Sequence, residues 1–411
     1  MIKIIKKISG FFAVIFSILG IAQTPISLEE AYDRALKNNL TLKNGELRVS
    51  AQEKLKKSHL VIDPLNISAE YGQMNSVYSD NRVSASQVIR LPKFYNTQKT
   101  VLLEEWKNQL LMLDVQKWQL KKQLGLVYNQ LKYIDEKKQL LQKADSIYAQ
   151  YFKRADLRLK KGESNILEKA TAENLRSQAE LQLKALERDK QIALYQFNFL
   201  INEGFVYTNE KSKYNIMQLE GNHSEYKGNP IVLKQLEQEK IIQIARLEAE
   251  KAKIAPYFSI GYNNMSMYGN GADNNFYERS KRFQSGSIGV GIPIFNTAQK
   301  AIIENQKINQ LIAENNYQMG VYSLKNEYAK FYGEYQKLMN EVDYYKTKGL
   351  QNSELIISTA NRQFYEGEIN YLEWTMLINQ ALDIQNKNID ALKRLNDQVI
   401  ELNALSSGEL R

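Results

Sequence analysis

From Thr97 to Leu159 the chain runs without a proline and with a single glycine, Gly125. Apolar residues keep a 3,4 spacing through Leu120, Leu124, Val127, Leu131, Ile134 and Leu141, and the rhythm is picked up again by Ala144, Tyr148, Tyr151 and Ala155. Proline and glycine interrupt regular backbone, and a 3,4 apolar rhythm marks one buried helix face. The stretch predicts a helix of about 60 residues, roughly 90 Å at 1.5 Å per residue. A rod of that length does not pack into an ordinary globule. It needs long partners beside it, as in a coiled-coil assembly.

The same order of elements is legible twice. Ser27-Leu28-Glu29-Glu30 reads as a capping box, with Ser27 as N-cap and Glu30 reaching back, and a helical pattern follows to about His59. Asp63-Pro64 stops it. Two alternating segments then place Ile67, Ala69 and Tyr71 on one face, and Val83, Ala85 and Ile89 on another, which predicts a hairpin at about 65–91. The long helix comes next, Lys160-Lys161-Gly162 breaks it, and a second helix runs from about Ser164 to Ile201. In the second half Asn229-Pro230 opens a helix that ends at Ala255-Pro256. Phe258, Ile260 and Tyr262, then Ile288, Val290, Ile292 and Ile294, predict a hairpin at about 257–295. A long helix from about Ala298 to Tyr365 breaks at Gly367 and resumes to Leu405. Pro92 and Pro293, Phe94 and Phe295, and Gln98 and Gln299 all keep an offset of 201. At the breaks, residues 161–168 and 366–373 align at an offset of 205 with five of eight positions identical. Such a duplication predicts two structural repeats, 23–202 and 229–405, joined by an irregular linker at 203–228 and followed by a tail at 406–411. The helix tips fall at about 160–164 and 365–369.

Composition narrows the chemistry. With no cysteine and only two histidines, His59 and His223, disulfide scaffolds, thiolate nucleophiles and Cys/His zinc sites are excluded, and histidine acid–base catalysis loses its reagent. No nucleophile, base and orienting group recur in a recognisable spacing, so the expectation is a protein that is not an enzyme, with no cofactor and no metal site. Met265 and Met267 alternate on a strand, but loop or lipid-facing packing explains them better than soft-metal binding. The formal charge is +9, yet acidic and basic residues are intermixed without a basic stripe, which argues against nucleic acid. Residues 1–22 combine a lysine-bearing start, an apolar run from Ile8 to Ile21 and small residues before Gln23, the layout of an export signal peptide. No later run reaches 18 apolar residues, so a membrane could be crossed only by strands.

Two hairpins make four strands, too few to close a barrel in one chain, and their edges need partners. Several copies could each donate four strands to a shared barrel, and a trimer would supply twelve. A tube of long helices joined to such a barrel is a conduit.

The twofold order of helix, hairpin, long helix, turn and long helix resembles the TolC-type outer-membrane efflux proteins over about residues 27 to 405. Gly286-Ser287-Ile288-Gly289-Val290-Gly291-Ile292-Pro293-Ile294-Phe295 is similar to the family's second strand pair re-entering the helix, and the segments 158–162 and 365–373 are similar to its helix-tip turns. The stretch from Tyr371 to Leu402 is most similar to members that work with heavy-metal RND pumps. The resemblance implies a mainly α fold with a small β part. It implies a homotrimer with a twelve-stranded β-barrel among outer-membrane lipids of a Gram-negative bacterium, continuing as an α-helical tunnel in the periplasm. The implied partners are a periplasmic adaptor protein and an inner-membrane pump of the RND type. Adaptor contacts carry over to Arg158, Leu159, Gly162 and Gly367, and an acidic ring at the tunnel entrance to Glu168 and Glu373. Met376 and Ile369 depart from the family pattern, where a further acidic ring and an arginine stand, so a Tyr/Arg gating network is not expected.

Other readings of these residues remain open. Gly162 and Gly367 also fit ordinary helix C-caps, and Glu168 and Glu373 also fit solvated carboxylates or partners of Lys160 and Arg362. A periplasmic coiled-coil adaptor or a scaffold protein of an export complex is the alternative function, though neither accounts for two hairpins at matching positions.

Overall fold

The computed structural model describes residues 24–220 and 230–406. The signal segment 1–22, His223, the linker glycines Gly221 and Gly228, and the tail from 407 lie outside the described residues. In chain order the elements are β1 (Thr24–Ile26), α1 (Leu28–Asn38), α2 (Leu40–Leu55) with a 3₁₀ turn at Lys56–His59, β2 (Asn66–Gly72), β3 (Asp80–Arg90), α3 (Pro92–Lys160), α4 (Ile166–Ile201) and β4 (Tyr207–Asn209). The second half holds α5 (Ile231–Ala252), β5 (Tyr257–Ser266), the short β6 (Gly269–Asn270) and β7 (Phe276–Tyr277), β8 (Arg282–Gly291), α6 (Thr297–Tyr344), α7 (Leu350–Glu366) and α8 (Tyr371–Ser406). The long breaker-free stretch is a single helix of 69 residues.

Several local outcomes differ from the sequence reading. Ser27 does cap α1, its Oγ accepting the Glu30 N–H at 3.1 Å, but the Glu30 carboxylate turns to Arg34 at 2.8 Å instead of reaching back. The first helix is not continuous to His59. Asn39 breaks it with extended backbone, and its side-chain N–H donates to the Leu200 carbonyl at 2.8 Å, a long-range bond that no local pattern encodes. The linker contains β4, which pairs in parallel with β1 from Thr24↔Tyr207 to Ile26↔Asn209. Three-residue strands are too short to show a period. Between α6 and α7 the helix continues through a π turn at Tyr345–Gly349, where wider winding replaces a break.

The chain forms two compact units, and each draws on both sequence repeats. One contains residues 24–39, 120–218 and 334–400. Its interior is built from the stripes of long helices: Tyr148, Tyr151, Ala155, Ala172, Trp374, Ile378 and Ala381 form one cluster, and Leu338, Val342, Ala391 and Leu395 another. Small residues such as Ala155, Ala172 and Ala381, all fully buried, let helices approach closely while the aromatics fill the gaps.

The other unit contains 40–119, 230–333 and 401–406 and carries a four-stranded antiparallel sheet in the order β2-β3-β5-β8. The two hairpins are joined by β3 pairing with β5. Register decides which residues share a face. Ile67 faces Ala85, Ala85 faces Tyr262, Ile89 faces Phe258, Phe258 faces Val290 and Ile260 faces Ile288. The apolar sets of all four strands therefore fall on one common side. The middle of the opposite side is mostly small and polar, with Ser68, Ser84, Ser86, Ser259, Gly261, Ser287 and Gly289 and with Arg82 and Glu70 paired at 3.1 Å, while Val88, Tyr257, Met265 and Phe283 also lie on that side. The outer edges of β2 and β8 have no strand partner among the described residues.

Candidate functional site at the helix tips

Both helical breaks lie in the first unit and use the same backbone device. After α3, Gly162 adopts φ +73° in the left-handed region that glycine enters without strain. Its N–H donates to the Leu159 carbonyl at 3.0 Å, and the Glu163 N–H donates to the Arg158 carbonyl at 2.9 Å. This is a Schellman closure, which satisfies the carbonyls left over at a helix end. After α7, Gly367 sits at φ +80°, and the Glu368 N–H donates to the Gln363 carbonyl at 2.9 Å. Each following helix is capped by an asparagine. Asn165 Oδ1 accepts the Glu168 N–H at 3.0 Å, and Asn370 Oδ1 accepts the Leu372 and Glu373 N–H groups at 2.9 and 3.0 Å. The Asn-x-x-Glu spacing was in the sequence at both places, and it is a capping signal that could have been read there.

The two tips border one open cleft of about 820 Å³, lined by Arg154, Arg158, Glu168, Tyr365, Tyr371 and Glu373 among others. Both glutamates are thus brought together with Arg158 and Gly367, while Leu159 is half-buried and Gly162 is exposed on the turn itself. Their surroundings differ sharply. Glu168 is 2% exposed and accepts a charge-assisted bond from Arg158 at 3.0 Å and a further one from the Ser164 hydroxyl. Neither Lys160 nor Arg362 is its partner; Lys160 pairs with Asp156 at 2.6 Å. Glu373 is exposed, and its carboxylate completes a capping box by accepting the Asn370 N–H at 2.9 Å. Ile369 is half-buried and packs against the apolar cluster, and Met376 is exposed.

Sequence reading did not find two further features. The Arg154 guanidinium lies 3.3 Å from the Tyr365 ring centroid, a cation–π contact across the tips. Beneath it, Trp374 packs at a tilt on Tyr151 at 4.5 Å and on Phe364 at 5.4 Å, and its indole N–H donates to Asn361 at 2.9 Å. Burial pushes the Tyr151 hydroxyl well above the usual tyrosine range, and the nearby Glu168 carboxylate adds to the shift. Burial likewise pushes Tyr148 up to about 12. Both tyrosines are neutral at physiological pH, and the Tyr148 hydroxyl donates to Asn379 Oδ1 at 2.7 Å. Hydrogen bonds from Lys160 and Lys169 hold Asp156 below the usual aspartate value. Among the described residues no group of three or more histidines, aspartates or glutamates could hold a metal ion, and no helix is long and apolar enough to cross a membrane.

No family model matches the chain, and no curated protein matches it. Solved structures do. A membrane protein from Pseudomonas aeruginosa aligns with TM-score 0.78 and 16% identity, covering 92% of this chain and 93% of that one. The outer-membrane channel OprN aligns at 0.75 with 14% identity over 93% and 90% of the two chains. CusC, described in terms of folding and transmembrane channel formation, aligns at 0.75 with 14% identity over 94% of each. The chain has the TolC-type fold: mainly α, with long helices and a small β part. OprN and CusC are equally similar, so the fold does not single out the heavy-metal subgroup.

Proposed function

We propose that this protein is an outer-membrane exit duct: a homotrimer whose copies share a twelve-stranded barrel and whose helices form a periplasmic tunnel. The observation that carries the reading is the sheet. It has one apolar and one mostly polar face, its strands alternate in direction, and its two edges have no strand partner among the described residues. Because β2 and β8 run in opposite directions, β8 of one copy can meet β2 of the next in the same antiparallel pattern, and the ring can close. β3, β5 and β8 have 11, 10 and 10 residues, which matches the 9–11 that cross a bilayer at a tilt. The Ser- and Gly-rich face suits a water-filled lumen.

In this reading the channel is passive and catalyses nothing. A periplasmic adaptor meets the tips around Arg158, Leu159, Gly162 and Gly367, and an inner-membrane pump, of RND type by the sequence resemblance, drives cargo through. Three copies of Glu373 place carboxylates at the entrance, where they favour cations. Glu168, buried and neutralised by Arg158, contributes much less to that field. The resemblance of the fold to outer-membrane channels supports the duct over a scaffold.

The test is to extract membranes with mild detergent and measure native mass and single-channel conductance. A species of three protomers that conducts in planar bilayers is expected, with Glu373→Gln lowering cation preference and Glu168→Gln changing it little. A monomer released with the soluble periplasm would overturn the reading in favour of an adaptor or scaffold.

A further inference from the structure

Residues 60–65, just before β2, have no regular structure, yet they are held in place. Arg90 Nε donates to the Asp63 carboxylate at 3.2 Å, and Gln87 Nε2 donates to the Asp63 carbonyl at 2.5 Å. On this pinned segment Leu60, Val61 and Ile62 are 60%, 67% and 64% exposed. At the same end of the sheet, just after β8, Ile292, Ile294 and Phe295 are also exposed, Phe295 at 99%. Three consecutive large apolar side chains fixed toward solvent mark a surface that is covered in use. Leu65 keeps the alternation of Ile67, and Ile292 and Ile294 keep that of Ile288 and Val290, so both segments extend the sheet's apolar face beyond its last hydrogen bonds.

Basic residues flank the same end. Lys57, Lys93 and Lys300 are exposed and make no ion pair with any described residue. Lys56 lies 3.3 Å from the Trp106 ring centroid, an aromatic–cation pairing typical of a water–lipid boundary. β2 and β8 are the two edges of the sheet, so closure of the barrel would set 292–295 of one copy beside 60–65 of the next.

We infer that Leu60, Val61, Ile62, Ile292, Ile294 and Phe295 form an apolar collar sunk in the periplasmic leaflet of a phospholipid bilayer, with Lys57, Lys93 and Lys300 meeting the phosphates of anionic headgroups. The inference rests on the sheet being part of a membrane barrel. Lipid is the occupant because the collar continues a lipid-facing surface and carries unpaired cations, whereas a seam between copies would need only the apolar part.

The chain has no cysteine, so single thiols report cleanly. The full-length oligomer carrying Val61→Cys, Phe295→Cys, Ile260→Cys or Lys337→Cys is labelled with bimane and placed in vesicles of phosphatidylethanolamine and phosphatidylglycerol or of phosphatidylcholine. Brominated lipid should quench positions 61, 295 and 260, and aqueous iodide should quench only 337. If lipid reaches 260 while iodide reaches 61 and 295, or neither quencher does, the collar is wrong and the barrel stands. If lipid does not reach 260 either, the barrel reading falls and the collar with it. Replacing Lys57, Lys93 and Lys300 by glutamine should reduce the preference of position 61 for brominated phosphatidylglycerol over phosphatidylcholine by about fivefold per lysine. An unchanged preference would overturn the headgroup contact.

Discussion

The two helix tips share one sequence pattern and one backbone device but differ in their side-chain partners. Gly162 and Gly367 hold the same left-handed turn, and Asn165 and Asn370 cap the next helix in the same way. At the common offset of 205, Arg158 corresponds to Gln363, Asp156 to Asn361 and Lys169 to Trp374. The first tip is therefore an ionic structure: Arg158 holds Glu168, and Asp156 holds both Lys160 and Lys169. The second is aromatic: Asn361 bonds the Trp374 indole, and Trp374 packs on Phe364. With no arginine at 363 to claim it, Glu373 is free to complete its cap and face solvent. Backbone demands at a turn are set by sterics and leave little choice of residue, whereas partner choice needs only compatible neighbours.

The comparison breaks most visibly if the aromatic side is not what holds the second tip. Trp374→Ala should cost about 3–5 kcal/mol, because a 3% exposed indole leaves a cavity beside Tyr151 and an unpaired Asn361. Lys169→Ala at the matching position of the first tip should change little. Guanidinium unfolding of the detergent-extracted oligomer reads both. Similar losses at 169 and 374 would mean that the two tips are held alike.

Next comes the ionic side. Arg158→Ala leaves Glu168 buried without its cation and should cost about 1–3 kcal/mol, since an orphaned buried acceptor loses solvation as well as its bond. The estimate stays below that of a fully buried pair because the Arg158 side chain is 43% exposed. Adding Glu168→Gln should recover much of the loss, and Gln363→Ala should be near neutral. A double-mutant cycle between 158 and 168 with no coupling would remove the ionic reading of the first tip. Smaller again are the caps. Both asparagines are worth about 1 kcal/mol, with Asn370→Ala the more costly because Asn370 Oδ1 accepts two backbone N–H groups and Asn165 Oδ1 only one. Helicity and thermal unfolding of the two variants should rank in that order.

What the sequence made legible follows from the range of each interaction. The 69-residue helix, the two breaks and the apolar face of all four strands were readable because periodicity and glycine placement act locally. The break at Asn39 was not, because its cause is a carbonyl at Leu200, far along the chain. Nor were the different fates of Glu168 and Glu373, which sit in nearly identical octapeptides. Their difference comes from residue 158 against residue 363, on the helix before the turn, and becomes visible only when the turn folds that helix back. The two tip glutamates read as equivalent in sequence and are not equivalent in space.

The smallest expected effect is a pH response confined to the first tip. Hydrogen bonds from Lys160 and Lys169 lower the Asp156 value from 3.8, so the folded tip favours the carboxylate more than the unfolded chain does. A depressed acid stabilises fully above its unfolded value, and that contribution is lost as pH falls below 3.8 and through the folded value. The second tip has Asn361 at this place, which does not titrate. Pepsin cleavage near residues 157–163, scaled to cleavage near 362–368, should therefore rise as pH drops from 5 toward 3. Asp156→Asn should shrink the rise by the share that Asp156 carries. If cleavage of both turns climbs together, acid is loosening the helices as a whole, and the ionic character of the first tip has no separate consequence for its stability.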